Sequence, residues 1–449
     1  MSPTSTTYQL FPTPSPSSFT LPVDPDPGRD GLVRDLVQEN QIKHHVFYNK
    51  RKYHNHIPNH ILAVWAMGGD QKAILAAYEN DSSFQIPAIR SPHLITDDNW
   101  VEHLGDERAY LEYFKSVLQH EDIGPVLEQY VFSEKEMLSR FVGGVFHPMI
   151  LVGHGCEFLM PGLLAEGLAQ TAVHPSIAAA IIPPPRSLVA NTTSSSTPVH
   201  ALSVLARIVE DNNIRGGDHR IGLLGFNMYQ WVIEHAGDTI AMHVDEWADF
   251  DAADQDVVVR KTEELSWLAT VLYAVPGFQA QEDSSPKFKA DLFTMHLITS
   301  ALFLPSLFSF MSPASKRTLL RAYLITGLVW WVSRGKPRLD ITGFFSINVE
   351  DLPFCIDLGV TTIRSEHDAQ TLWTKIIEHS IDHPDDHLVK CQRALYHFSM
   401  LYRSSEPFPG MKRIDGFEKL DGSLFIRAAT LTAQRLAGSR KGNSGDWDL

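Results

Sequence analysis

The stretch YHNHIPNH at residues 53–60 places His54, His56 and His60 within seven positions. Imidazole titrates near neutral pH and ligates metals through a neutral ring nitrogen, so such a cluster is either a satisfied polar patch or the start of a site. His56 and His60 are four apart and share a face on a helix, which lets two nitrogens approach one ion. With 21 histidines in 449 residues, about one such pair arises by chance, and the chain has further pairs at 379/383 and 383/387. His147 and His154, in GGVFHPMILVGHGCEF, are two helical turns apart in an apolar setting, where an imidazole must be hydrogen-bonded or ligated. His296, in DLFTMHLITSALF, is a lone imidazole on an apolar helix. In HPDDHLVKCQRAL, His387 and Lys390 are one turn apart behind Asp385 and Asp386, which can cap the helix. The bland alternatives are core histidines bonded to backbone carbonyls and, for the last stretch, an amphipathic helix with a charged outer face.

The elements that must position these residues read as helices. GLVRDLVQENQIKHHVFY, NHILAVWAMGGDQKAILAAYEN, DERAYLEYFKSVLQHED and GPVLEQYVFSEKEMLSRFVGG carry apolar residues at three- and four-residue spacing, and strand signals are sparse. Pro, Gly, Asn and Asp clusters such as RSPHLITDDN and VSRGKPRLDITG mark the loops. The reading is all-α: one large multi-helix domain over 30–435, a disordered Pro/Ser/Thr-rich N-terminal arm over 1–29, and a flexible tail over 436–449. PPPRSLVANTTSSSTPV at 183–199 is read as a surface loop within that domain, and the glycine-rich RGGDHRIGLLG at 215–225 as another loop.

A net charge of -15 argues against nucleic acid or an anionic membrane as partner. Three scattered cysteines, Cys156, Cys355 and Cys391, form neither a disulfide framework nor a CxxC zinc site, and fit a reducing cytoplasmic compartment. The N-terminus has no signal-peptide pattern, and the longest apolar run, at 297–311, is broken by Pro305, so no membrane span is expected. Neither a Rossmann GxGxxG, a P-loop, GxSxG nor HExxH occurs.

HNH at 54–56 with His60, GGVFHP with GHGCEF, MHLITS around His296 and DDHLVKCQRAL, in that order over about residues 30–435, resemble the questin oxidase-like family of fungal secondary metabolism. The resemblance implies an oxidoreductase that opens a ring of an anthraquinone-type aromatic polyketide, by Baeyer-Villiger-type or dioxygenase chemistry. It also implies an all-helical, mononuclear non-haem iron(II) site using dioxygen, with several histidines and a carboxylated lysine as ligands. On that basis His56, His60, His147, His154 and His296 are the histidine pool and Lys390 the lysine ligand, with Lys375 as runner-up. Where the family often carries histidine four after the first residue of HP, this chain has Leu151. His387 is the candidate catalytic residue. Trp65, Trp330 and Phe344, with Trp331 and Phe345, are candidate walls for a flat substrate. Some members are tied to NADPH, which here would act as a reductant from solution. A metal-dependent hydrolase with a carboxylated lysine and a non-catalytic helical binding protein are the rival readings.

Overall fold

The computed structural model describes residues 9–15, 26–49, 53–89, 94–105, 110–182, 199–216, 225–279, 287–360, 365–404, 414–438 and 447–448. In chain order the helices are α1 (Pro27–Lys43), α2 (Ile57–Ala66), α3 (Gln71–Ser82), α4 (Leu111–Leu118), α5 (Ile123–Leu127), α6 (Lys135–Phe141), α7 (His147–Glu157), α8 (Pro161–Val173), α9 (Ala201–Glu210) and α10 (Gly225–Trp247). They continue as α11 (Gln255–Gly277), α12 (Leu292–Ala301), α13 (Leu304–Phe308), α14 (Pro313–Ser333), α15 (Ile341–Phe345), α16 (Pro353–Asp357), α17 (Glu366–Ile381), α18 (Asp386–Tyr402) and α19 (Ser423–Leu436). Among the described residues the one sheet is a two-residue antiparallel pair, with Phe278 opposite Phe288 and Gln279 opposite Lys287. The all-α reading therefore holds. No helix among the described residues is long and apolar enough to cross a membrane.

The chain gathers into two compact units, one of Met1–Pro183 with Phe303–Leu319 and the other of Pro184–Leu302 with Leu320–Leu449. The division falls within the stretch read as a surface loop, of which residues 183–198 lie outside the described residues, as do 217–224 of the second loop.

In unit one, local chemistry fixes where the helices start. The Asp26 carboxylate accepts from the Gly28 and Arg29 amides, which begins α1 at Pro27, and Asp70 caps α3 through the Ala73 amide at 2.8 Å; both meet otherwise orphaned N–H groups. Every residue of α7 is buried, as expected of a helix that is apolar on all sides. It packs on α8 at close range because Gly167 has no side chain: a Cβ there would lie 2.8 Å from the Val152 nitrogen.

In unit two, α12 packs against both α11 and α18, and α18 against α17 and α19. Asp291 caps α12 through the Thr294 amide at 2.9 Å, Asp385 caps α18 through the His387 amide at 2.9 Å, and Ser365 with Asp368 forms a reciprocal capping box at the start of α17.

At each chain end a short stretch is described within the segment read as flexible. Most of residues 1–29 and 436–449 lie outside the described residues, but Phe11 is buried and the Leu10 carbonyl accepts from the Gly162 amide at 2.7 Å. Trp447 is also buried. In each case one large apolar ring is buried within a stretch whose composition is otherwise polar.

Candidate active site

In unit one the residue before α2 is His56, half-buried, and His60 follows one turn later with almost no exposed surface. The His60 Nδ1 lies 2.9 Å from Oδ2 of Asp81, a buried carboxylate on the adjacent α3. A carboxylate only accepts, so the ring proton sits on Nδ1 and Nε2 keeps its lone pair. The same arrangement recurs on α7: His147 Nδ1 donates to the Gly144 carbonyl at 2.6 Å and His154 Nδ1 to the Ile150 carbonyl at 3.0 Å. Three imidazoles of this unit thus have Nδ1 held by an oxygen and Nε2 unprotonated, the pattern that orients metal-binding histidines.

The structure brings His56 and His147 together. Their Nε2 atoms are 2.7 Å apart and their ring planes differ by 6°. Since His147 has committed its proton at Nδ1, the single proton of that contact belongs to His56. His154 lies about 10.5 Å further along α7 and packs on Phe303, with ring centroids 4.4 Å apart. Both α7 histidines bond carbonyls on their N-terminal side, so their rings lean the same way along the helix rather than toward each other.

Two further histidines, His54 and His174, complete this arrangement and were not singled out as site residues from the sequence. Their Nε2 atoms are 2.8 Å apart, and the His54 ring stacks face to face on that of His147 with centroids 4.0 Å apart and planes 8° apart. His54 lies in the quoted HNH motif; His174 follows α8, and only the tertiary pairing marks it. The stack is built on a left-handed turn in which Gly144, Val145 and Phe146 all have positive φ, of 54°, 57° and 64°. A β-branched residue in that region is a strained outlier of the kind that collects at functional sites. Glycine is required at 144, where a Cβ would meet His174 Nε2 at 2.2 Å. On α8, burial pushes the Glu166 carboxyl up to about 7, and the Gln41 amide 3.5 Å away opposes the shift.

In unit two, α12 and α18 bring His296 and His387 together, with ring centroids 5.3 Å apart at 71°. His296 Nδ1 donates to the Leu292 carbonyl at 2.6 Å, so it too offers Nε2. His387 Nδ1 faces Asp386 Oδ1 at 3.2 Å and Asp385 Oδ1 at 3.5 Å. Burial works to depress the His387 pKa, but the two carboxylates outweigh burial and the neighbouring Lys390, and the pKa is raised. Burial works the other way on Asp385, where the bond with His387 wins and the pKa is lowered. Buried Lys390 places Nζ 2.5 Å from Asp386 Oδ2. Lys375 lies on the outer side of α17, its side chain 40% exposed and paired with Glu378 at 3.0 Å, so of these two lysines Lys390 has the buried setting that a ligand lysine needs.

Of the aromatic residues expected to line a substrate, Trp65, Trp330, Trp331 and Phe344 are buried. Trp330 is covered by Tyr229 on one contact and Phe293 on another, at centroid distances of 4.4 and 4.8 Å and shallow angles. Trp65 donates its indole N–H to Asp30 at 2.7 Å and takes Phe158 edge-on. Phe344 is fully buried against Phe278 and Phe345, and Trp331 is fully buried.

A family model described as questin oxidase-like matches residues 53–395, which include every histidine of both groups and Lys390. Among curated relatives, the Baeyer-Villiger monooxygenase AacuH of Aspergillus aculeatus is 26% identical over 401 residues, covering 84% of this chain and 80% of the relative. The Baeyer-Villiger oxidase mdpL of Emericella nidulans is 26% identical over 386 residues, 81% of this chain and 80% of its own length. The questin oxidase of Aspergillus fumigatus is 26% identical over 436 residues, 92% of this chain and 90% of the relative.

Proposed function

The chain belongs to the questin oxidase-like family and is an oxidoreductase, and from that premise we propose that it opens a ring of an anthraquinone-type polyketide by oxygen insertion, with iron(II), dioxygen and a nicotinamide reductant. Membership sets aside the hydrolase and the non-catalytic binder. The observation that supports an iron site is the contact between His56 and His147, two ring nitrogens 2.7 Å apart with one proton between them. With that proton moved to His56 Nδ1, both nitrogens would become donors, and such a pair fits a borderline divalent ion, since iron and zinc both accept imidazole.

In unit one the residues that would hold the ion are His56 and His147, supported by His60 and His154, each of which is oriented through Nδ1. Bound there, iron(II) supplies the one-electron chemistry by which dioxygen reacts with a closed-shell ring. The protein's own part is to fix the tautomers, so that Nε2 of His60, His147 and His154 arrives unprotonated. In unit two, His296 offers the same Nε2 donor and Lys390 is the residue that carboxylation would turn into an oxygen donor. His387 is the proposed acid, with Asp386 and Asp385 on its Nδ1 side and a quinone oxygen as the proton acceptor.

In net terms, one atom of dioxygen enters the bond between a ring carbonyl carbon and its neighbour, and the other leaves as water. Reduced nicotinamide gives a hydride and solvent a proton, and hydrolysis of the resulting ester opens the ring. The test is metal analysis of the purified protein, followed by oxygen uptake with questin and NADPH under labelled dioxygen. One labelled atom in the product supports insertion, and two indicate a dioxygenase. Zinc in place of iron, or no oxygen consumed with questin or any other anthraquinone, refutes the proposal.

A further inference from the structure

Two residues far along the chain bind the first turns of both helices that carry the unit-two histidines. The indole N–H of Trp447 donates to Asp385 Oδ1 at 3.0 Å, the same oxygen that caps α18 through the His387 amide at 2.9 Å. Its ring packs on His387, centroids 6.0 Å apart at 65°. The next residue, Asp448, forms a parallel bridge with Asp291, the cap of α12: its amide donates to the Ala290 carbonyl at 2.8 Å, and its carbonyl accepts from the Leu292 amide at 3.0 Å. Leu292 is also the residue whose carbonyl holds His296. Arg334 fixes Asp291 from the other side through Oδ2 at 2.6 Å, and Arg435 lies 3.6 Å from the Asp448 carboxylate.

We infer that Trp447 and Asp448 form a staple that positions His387 and His296 for the reaction, Trp447 through the Asp385 carboxylate and Asp448 through the first turn of α12. The inference rests on the role of these histidines proposed above. The physical reason is that α12 and α18 each begin at an Asp cap, and a cap carboxylate is free to rotate unless a third group holds it. Trp447 is that group for Asp385. Its buried ring also removes one side of the space into which the His387 ring could turn, so a side chain with two soft dihedrals is left with one orientation. Trp447 lies beyond residues 53–395, so this contribution comes from outside the segment that the family model matches.

Trp447→Phe removes the N–H and keeps a ring, whereas Trp447→Ala removes both. The readout is histidine-selective nitrogen NMR on the metal-free protein, together with kcat and KM for questin turnover. Wild type should give one set of His387 ring resonances. Trp447→Phe should split or broaden that set and lower kcat about tenfold with KM within twofold, because small misplacements of a reacting group are costly in rate. Ile376→Val, in the buried face of α17, serves as the stability control: it should lower the melting temperature yet leave the His387 resonances and kcat unchanged. Should Trp447→Ala fail to fold, Trp447→Phe still decides. Unchanged His387 resonances and kcat within twofold in Trp447→Phe would overturn the inference. If wild type itself does not turn over questin, the proposed function fails, and the NMR comparison still judges the staple by itself.

Discussion

Replacing Asp81 by Asn probes whether His60 is held for a ligand role or merely packed. The contact is a 2.9 Å bond between His60 Nδ1 and Asp81 Oδ2, with side chains 2% and 5% exposed, so solvent screens it little. The amide oxygen of Asn can still accept from Nδ1, so the bond to His60 keeps its geometry and loses its charge assistance, while the Asn80 amide, which bonds the other oxygen, must turn. Charge-assisted bonds are about twice as strong as neutral ones, at about 1.5–3 against about 1 kcal/mol. The substitution should therefore cost about 1–1.5 kcal/mol of support to the imidazole, and close to a tenfold rise in the iron dissociation constant. Asp81→Ala leaves Nδ1 and the Asn80 amide, which also bonds this carboxylate at 3.0 Å, without the acceptor, and should move the effect toward a hundredfold. The assay is competition for iron against a chelator of known affinity, with urea denaturation of the metal-free protein in parallel. If Asp81→Asn binds iron as wild type does while Asp81→Ala loses only stability, the dyad is structural and His60 leaves the ligand set.

Three further outcomes follow from the geometry. Glu166 has a native pKa near 7 against 4.5 in the unfolded chain, so the native state holds more protons in that window and stability falls as pH rises from about 4.5 to 7, by about 3 kcal/mol. Denaturation at pH 5 and pH 8 should show that fall in wild type and its removal in Glu166→Gln; parallel curves would refute the assignment. Gly144→Ala forces a Cβ into a left-handed residue and against His174 Nε2, and should cost about 1–2 kcal/mol for the backbone alone, with altered His54 and His174 ring resonances; a loss under about 0.5 kcal/mol would count against a left-handed turn at Gly144. Labelled bicarbonate should give a carbamate carbon signal that Lys390→Ala abolishes and Lys375→Ala keeps. Asp386→Asn should strengthen that signal, because carboxylation puts an anion where the ammonium now meets Asp386 Oδ2; no signal in wild type would remove the carbamate from the proposal.

What the sequence makes legible here is what local spacing can carry. The apolar periodicity around 57–66 and 292–301 marks helices that the structure contains, and the residues DD at 385–386 read correctly as the head of α18. Pairing across elements is not local. His54 and His174 meet at 2.8 Å although 120 residues separate them, and nothing in AVHP around His174 distinguishes it from a loop histidine. The same holds for tryptophan: Trp330 has the chemistry of a substrate wall, and how its faces are covered depends on Tyr229 and Phe293, which reach it from other helices.

The turn at Gly144–Phe146 also determines which kinds of sequence change α7 can absorb. Three left-handed residues followed by His147 and Pro148 give the helix a fixed starting point, and a helix that cannot slide backward has a fixed angular phase. Each residue advances the chain by about 100°, and seven bring His154 to within about 20° of His147. A single insertion or deletion between the two would swing His154 about 100° away from that face while leaving hydrophobicity, charge and helix propensity nearly unchanged. In this segment, length is more tightly constrained than the identity of most side chains, and comparison of relatives should find substitutions between His147 and His154 far more often than gaps.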